Sequence, residues 1–152
     1  MKALVIGVGH PFRRDDSIGP RLAETLSADV PLGVAVTTHH GEGTGLMECW
    51  TGYDRVIVAD ATCSGTVAGC VRTWDAVSTP LPAGLFPKGS HLFGVAEGVE
   101  LARRLGRLPS RLDVVGVEGK DFSAGEGLSP EVEAALPLAL LEIRRLLPSA
   151  AG

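Results

Sequence analysis

Aromatic side chains are scarce, at 5% of the 152 residues. The core must therefore be aliphatic, and a hydrophobic content of 45% supplies the Val, Leu, Ile and Ala for it. Cysteine is also sparse. Cys49, Cys63 and Cys70 are odd in number and lack C-x-x-C spacing, which argues against a disulfide scaffold or a zinc knuckle. A reduced, cytoplasmic protein is the simplest expectation. Positive charge is not in excess: 14 Lys and Arg stand against 18 Asp and Glu, for a net charge of −4. That balance disfavours a nucleic-acid partner and is too mild for a disordered acidic chain. No apolar run approaches the roughly 20 residues of a membrane span. Met1-Lys2 leads straight into a short apolar run, so neither membrane insertion nor a secretory leader is expected. No internal repeat or low-complexity block interrupts the chain. Residues 1–152 read as a single domain.

Several catalytic and cofactor motifs are missing as well. The stretch Val5 to Leu22 reads VIGVGHPFRRDDSIGPRL. It has the G-x-G of a nucleotide-binding turn, but Phe12 occupies the third glycine position of a dinucleotide fingerprint. There is no G-K-[ST] for a phosphate loop and no G-x-S-x-G elbow. Two aspartates stand where a phosphate would want amides and bases. The turn is suited to placing ligands for a cation.

What is present is a strand–helix alternation. Residues 2–8 and 55–61 are short continuous apolar runs, the mark of strands buried on both faces. Residues 34–39 are β-branched and strand-like, and residues 112–117 form a further strand. Residues 69–74 read as a strand reached through a turn at Ser64-Gly65, running antiparallel to its predecessor. Helices are expected over residues 17–26, capped by Asp16 or Ser17, and from Leu46 to Trp50 after a loop at residues 41–45. Another covers residues 91–105, stopped by Gly106. A last helix opens at Ser129-Pro130, with Ser129 as its cap, and runs to about Leu147; Pro137 should kink or break it. Together these predict a three-layer α/β/α sandwich around a mostly parallel five-stranded sheet with one antiparallel strand. A strand order beginning 2-1-3 creates a switch point between the first and third strands, where ligands bind at the carboxyl ends.

Polar residues collect at that rim. The first strand leads to His10, Asp15 and Asp16; the third ends at Asp60; the second ends at His39-His40; a long Pro- and Gly-rich loop over residues 78–90 delivers His91. Two carboxylates and an imidazole suit zinc, nickel or a related transition metal and leave positions open for substrate. Asp16 also fits a plain helix cap, and His10, His39 and His40 also fit solvated loop positions. Asp60 ends a buried apolar strand, where a carboxylate has a desolvation cost. Asp16 and Asp60 could instead share a proton, as an aspartic-protease pair does. A thiol chemistry through Cys63 is a weaker alternative.

The constellation resembles the hydrogenase maturation proteases, which trim the C-terminus of the large subunit of nickel-iron hydrogenases. The resemblance rests on Gly7-Val8-Gly9-His10, Asp15-Asp16-Ser17-Ile18-Gly19, Gly41-Glu42-Gly43-Thr44-Gly45 and Val58-Ala59-Asp60-Ala61. It continues through Ser90-His91, Leu105-Gly106, Gly116-Val117-Glu118 and Leu128-Ser129-Pro130-Glu131-Val132, in order along nearly the whole chain. It implies an endopeptidase, aspartic-type or metal-assisted, that removes a C-terminal extension from the nickel-loaded precursor. Asp16, Asp60 and His91 would contact nickel supplied by the substrate, with Asp16 and Asp60 catalytic. No organic cofactor is implied, and the protein is expected to be a monomer. His10 stands where the family usually has asparagine, so His10, His39 and His40 are candidate accessory ligands. A non-catalytic nickel-binding escort of the same subunit is the alternative reading.

Overall fold

The computed structural model describes residues 2–87 and 93–148. In chain order the elements are β1 (Ala3–Val8), a 3-10 turn (Arg14–Ser17), α1 (Ile18–Ser27), β2 (Val34–His39), α2 (Gly43–Trp50) and β3 (Arg55–Thr62). They continue with β4 (Val71–Asp75), α3 (Val95–Leu105), β5 (Arg111–Glu118) and α4 (Pro130–Leu146). The strands form one sheet in the order β2-β1-β3-β5-β4. The β1–β2, β1–β3 and β3–β5 pairs are parallel, and β4 runs antiparallel to β5.

Strand period decides which core each residue joins. Ala3, Val5, Ile57 and Val115 face α1 and α4, where they meet Leu22, Leu26, Val132 and Ile143. Leu4, Ile6, Val58 and Val114 face the opposite way, onto Leu46, Trp50 and Val99 of α2 and α3. The result is three layers. β1 is buried at all six positions, which is why its sequence shows no polar alternation. Each large aliphatic side chain buried in this way contributes about 1.5–3 kcal/mol relative to exposure.

Several local expectations are corrected. Residues 64–65 do not close a hairpin between paired strands, because β5 inserts between β3 and β4. β4 gains its ladder from β5, with Val71 opposite Val117 and Asp75 opposite Asp113. Ser17 stands at the N-cap of α1 but makes no side-chain cap bond, and Asp16 does not cap it. The 3-10 turn runs directly into the helix, the Ser17 hydroxyl donates to the Arg14 carbonyl, and Asp16 accepts elsewhere. Residues 41–45 are only partly loop, since α2 already starts at Gly43 under a Glu42 side-chain cap. α3 starts at Val95, with Gly94 at its N-cap and Gly106 ending it in the left-handed conformation. Ser129 sits at the N-cap of α4 but turns its hydroxyl to Asp15. α4 passes through Pro137 unbroken. The carbonyl that proline cannot bond is that of Glu133, and both residues lie on the solvent side. The buried row Val132, Ala135, Ala139, Ile143 and Leu146 holds the helix together on its other face.

Candidate active site

Chain direction creates the site. From β1 the chain crosses to β2 on one side and later returns to β3 on the other, so a crevice opens at the carboxyl ends of β1 and β3. Glycine lets the elements around it touch. A Cβ on Gly7 would lie 2.2 Å from the Gly19 carbonyl oxygen, and one on Gly19 would lie 2.1 Å from that of Val8. Gly9, at φ +149°, would meet the Asp16 carbonyl oxygen at 1.9 Å. These glycines bring the start of α1 against the end of β1.

The two adjacent aspartates do different jobs. Asp15 is fully buried and accepts four hydrogen bonds. They come from the backbone N–H groups of Lys120 (2.7 Å), Asp121 (2.9 Å) and Ser129 (2.7 Å) and from the Ser129 hydroxyl (2.7 Å). Burial raises its pKa, but these donors outweigh burial and hold it below the ordinary value. Asp15 thus fastens the turn to the loop after β5 and to the start of α4. Arg14, at φ 40°, carries backbone strain in the same turn, held by its N–H bond to the Gly125 carbonyl. Sequence reasoning gave Asp15 no role; the signal was a second acid beside a turn with a serine-capped helix downstream.

Asp16 points into the crevice. It is 7% exposed, and its Oδ2 accepts the His10 backbone N–H at 2.9 Å. Asp60, 5% exposed, comes from the end of β3, and its Oδ1 accepts the Ala61 N–H at 2.7 Å. Burial pushes the Asp60 carboxyl well above its ordinary range, and the negative charge of Asp16 pushes it further. The Ala61 N–H opposes both without cancelling them. A buried carboxylate beside a second one favours a bound proton or a bound cation.

These two aspartates line a cleft of about 480 Å³. Its other walls are His40-Gly41, the Leu81–Pro87 segment and the first turns of α3, including Glu97 and Glu100. No lysine or arginine occurs among its described lining residues. Leu85 is buried, and its carbonyl accepts the Cys63 N–H at 2.8 Å, which pins the loop over the end of β3. Glu97 accepts the Gly94 N–H at 2.7 Å and so holds the start of α3. The 78–90 loop was expected at this rim; Glu97 and Glu100 carried no sequence signal for it.

The histidines divide. His40 lines the cleft. His39 stacks on it with ring centroids 4.5 Å apart, and its Nδ1 accepts the Gly41 N–H at 2.9 Å, shaping the turn out of β2. His10 gives its backbone N–H to Asp16. His91 lies outside the described residues. Among the described residues, no group of three or more His, Cys, Asp and Glu side chains converges as a metal site. The structure therefore brings Asp16, Asp60 and His40 to one cleft and directs Asp15 to a structural task.

An acidic carboxylate pair in a cleft at the switch point of a three-layer α/β sheet defines an α/β protein with a candidate hydrolytic site. The family model described as hydrogenase maturation protease matches residues 20–145. The chain belongs to the hydrogenase maturation protease family and is a peptidase of that family. It is 30% identical over 148 residues to the hydrogenase 2 maturation protease of Escherichia coli, covering 94% of this chain and 88% of that protein. The solved structure of the hydrogenase-maturating endopeptidase HybD from Escherichia coli superposes with a TM-score of 0.79 at 28% identity, covering 94% of this chain and 90% of that one. The solution structure of an endopeptidase from Escherichia coli gives 0.83 at 29% identity, covering 97% and 92%.

Proposed function

We propose that this protein removes a C-terminal extension from the nickel-loaded precursor of a nickel-iron hydrogenase large subunit, in the cytoplasm. Asp16, Asp60 and His91 contact the nickel that the precursor brings, and the two aspartates serve the cleavage. The observation that carries the reading is the Asp60 carboxyl. It is buried, raised in proton affinity, and set against Asp16 in a cleft lined by acids. Such a carboxyl gives up its proton to a cation far more readily than to water. Asp16 is free to serve here because Asp15 takes the architectural bonds. Pro87 and Gly94, on either side of the segment that holds His91, both line the cleft. The described cysteines are free thiols, in keeping with a reducing compartment.

The test is a processing assay. The purified protein is mixed with its host's nickel-loaded precursor, and precursor mass is followed. Nickel-dependent loss of a C-terminal peptide is expected, with at least a hundredfold slower cleavage by Asp16→Ala, Asp60→Ala and His91→Ala. Binding without a change in mass would assign the protein as an escort instead.

A further inference from the structure

β2 forms one edge of the sheet, and it is an unguarded edge. Its sequence, VAVTTH, holds no lysine, acid or proline, and its register with β1 is uninterrupted. Exposed edges usually carry such devices against pairing. The opposite edge, β4, does carry charges in Arg72 and Asp75. The carbonyls of Gly33 and His39 accept the N–H groups of Ala3 and Gly9. Alternation along the strand then turns the backbone groups of Val36 and Thr38 outward. Beside this edge, between β2 and α1, runs a groove of about 590 Å³. Pro11, Phe12, Pro20, Ala23 and Val36 form its apolar wall, Arg21, Glu24 and Glu126 add charge at its lining, and Phe12 is 65% exposed. The edge runs up to the rim of the cleft, and the groove adjoins the same turn. Phe12 belongs to the turn that carries Asp16, and β2 ends one residue before His40-Gly41, which line the cleft.

We propose that the outer edge of β2 binds the precursor's C-terminal extension as an added antiparallel strand, with alternate side chains in the groove beside Phe12. The inference rests on the processing activity proposed above and names how that substrate is held. Direction follows from geometry. The body of the precursor stays at the rim, the scissile bond lies by Asp16 and Asp60, and only the tail beyond it is free to run down the edge. Strand addition draws on backbone groups for affinity and on every second side chain for specificity. Once cut, the tail keeps only these contacts and leaves.

The experiment uses a synthetic peptide of the host precursor's extension, N-methylated in turn at each of the two alternating sets of backbone positions. Binding should weaken about tenfold for one set and stay nearly unchanged for the other, since only one set points its N–H groups at β2. Amide exchange at Val36 and Thr38 should slow when the unmodified peptide binds. Thr38→Pro, which removes an outward donor, should raise KM for precursor about tenfold with kcat and nickel dependence kept. Should that variant misfold, the methylated peptides still decide the matter on unaltered protein. Equal binding by both methylated sets, with exchange at Val36 and Thr38 unchanged in a protein that processes precursor, overturns the proposal alone. Slowed exchange at those amides without peptide, in a self-associated protein, assigns the edge to a second copy and also overturns it. Failure of the unaltered protein to process any precursor removes the activity reading, and this one with it.

Discussion

Asp60 is held where a carboxylate is least comfortable. It lies at the end of a strand whose neighbouring positions are all buried, and the charge it would carry faces the charge of Asp16. A residue kept for stability would not be placed so. Its isostere makes the point testable. An asparagine at this position could still accept the Ala61 N–H, while the buried charge and its repulsion would be gone. Asp60→Asn should therefore raise stability by about 1 kcal/mol at a pH above the raised Asp60 pKa, where the acid is ionised, the scale seen when a poorly compensated buried charge is replaced. It should also abolish nickel-dependent processing. Chemical denaturation run beside the processing assay checks both. A destabilised Asp60→Asn protein would mean that the carboxylate is structural.

At the scale of elements, α2 and α3 meet through glycines. A Cβ on Gly98 would lie 2.7 Å from the Cα of Gly43 and 2.8 Å from its carbonyl oxygen, both backbone atoms that cannot step aside. Alanine normally favours a helix over glycine by about 1 kcal/mol. Here the clash should win, because forcing a methyl into a closed contact costs about 1–3 kcal/mol. Gly98→Ala should lower the melting temperature, and by shifting the first turns of α3 it should weaken precursor cleavage. Thermal melts with processing rates check this; a higher melting temperature would show that the contact yields.

The same contacts explain what the sequence could and could not disclose. β2 was legible at its true bounds from its β-branched residues, and β1 and β5 to within a residue at each end from their apolar runs, because both are local signals. The acid-bearing turns at the ends of β1 and β3 were legible too. The partner of β4 was not, since nothing within residues 64–75 says that β5 will be inserted beside it. Nor were the caps. Ser129 looks like an ordinary N-cap until Asp15, 114 positions earlier, is folded against it. The walls of the cleft at Leu81–Pro87 and α3 assemble only in three dimensions.

Across the whole molecule, acid acts on the carboxylates in opposite senses. The folded pKa of Asp60 is raised well above its ordinary 3.8, so between those values the folded protein holds a proton that the unfolded chain lacks. By linkage this contribution to stability falls as pH rises through that window. Asp15 and Glu118 behave the other way. Burial raises both, but hydrogen bonds prevail. Asp15 is held below 3.8 by Ser129, Asp121 and Lys120, and Glu118 below 4.5 by Thr62, Ser64 and Gly65. Their support of the fold is complete above the ordinary values and is lost as pH falls through the lowered ones. Function and fold should therefore fail at different pH. If Asp60 contacts nickel as proposed, its proton must leave first, so processing should drop by about tenfold per pH unit below the raised Asp60 pKa. The fold should persist there, and unfolding should begin only below the ordinary carboxylate range. Precursor cleavage and far-ultraviolet circular dichroism, followed over one pH series, separate the two events. Loss of both at a single pH would mean that Asp60 is not the group whose proton competes with the metal.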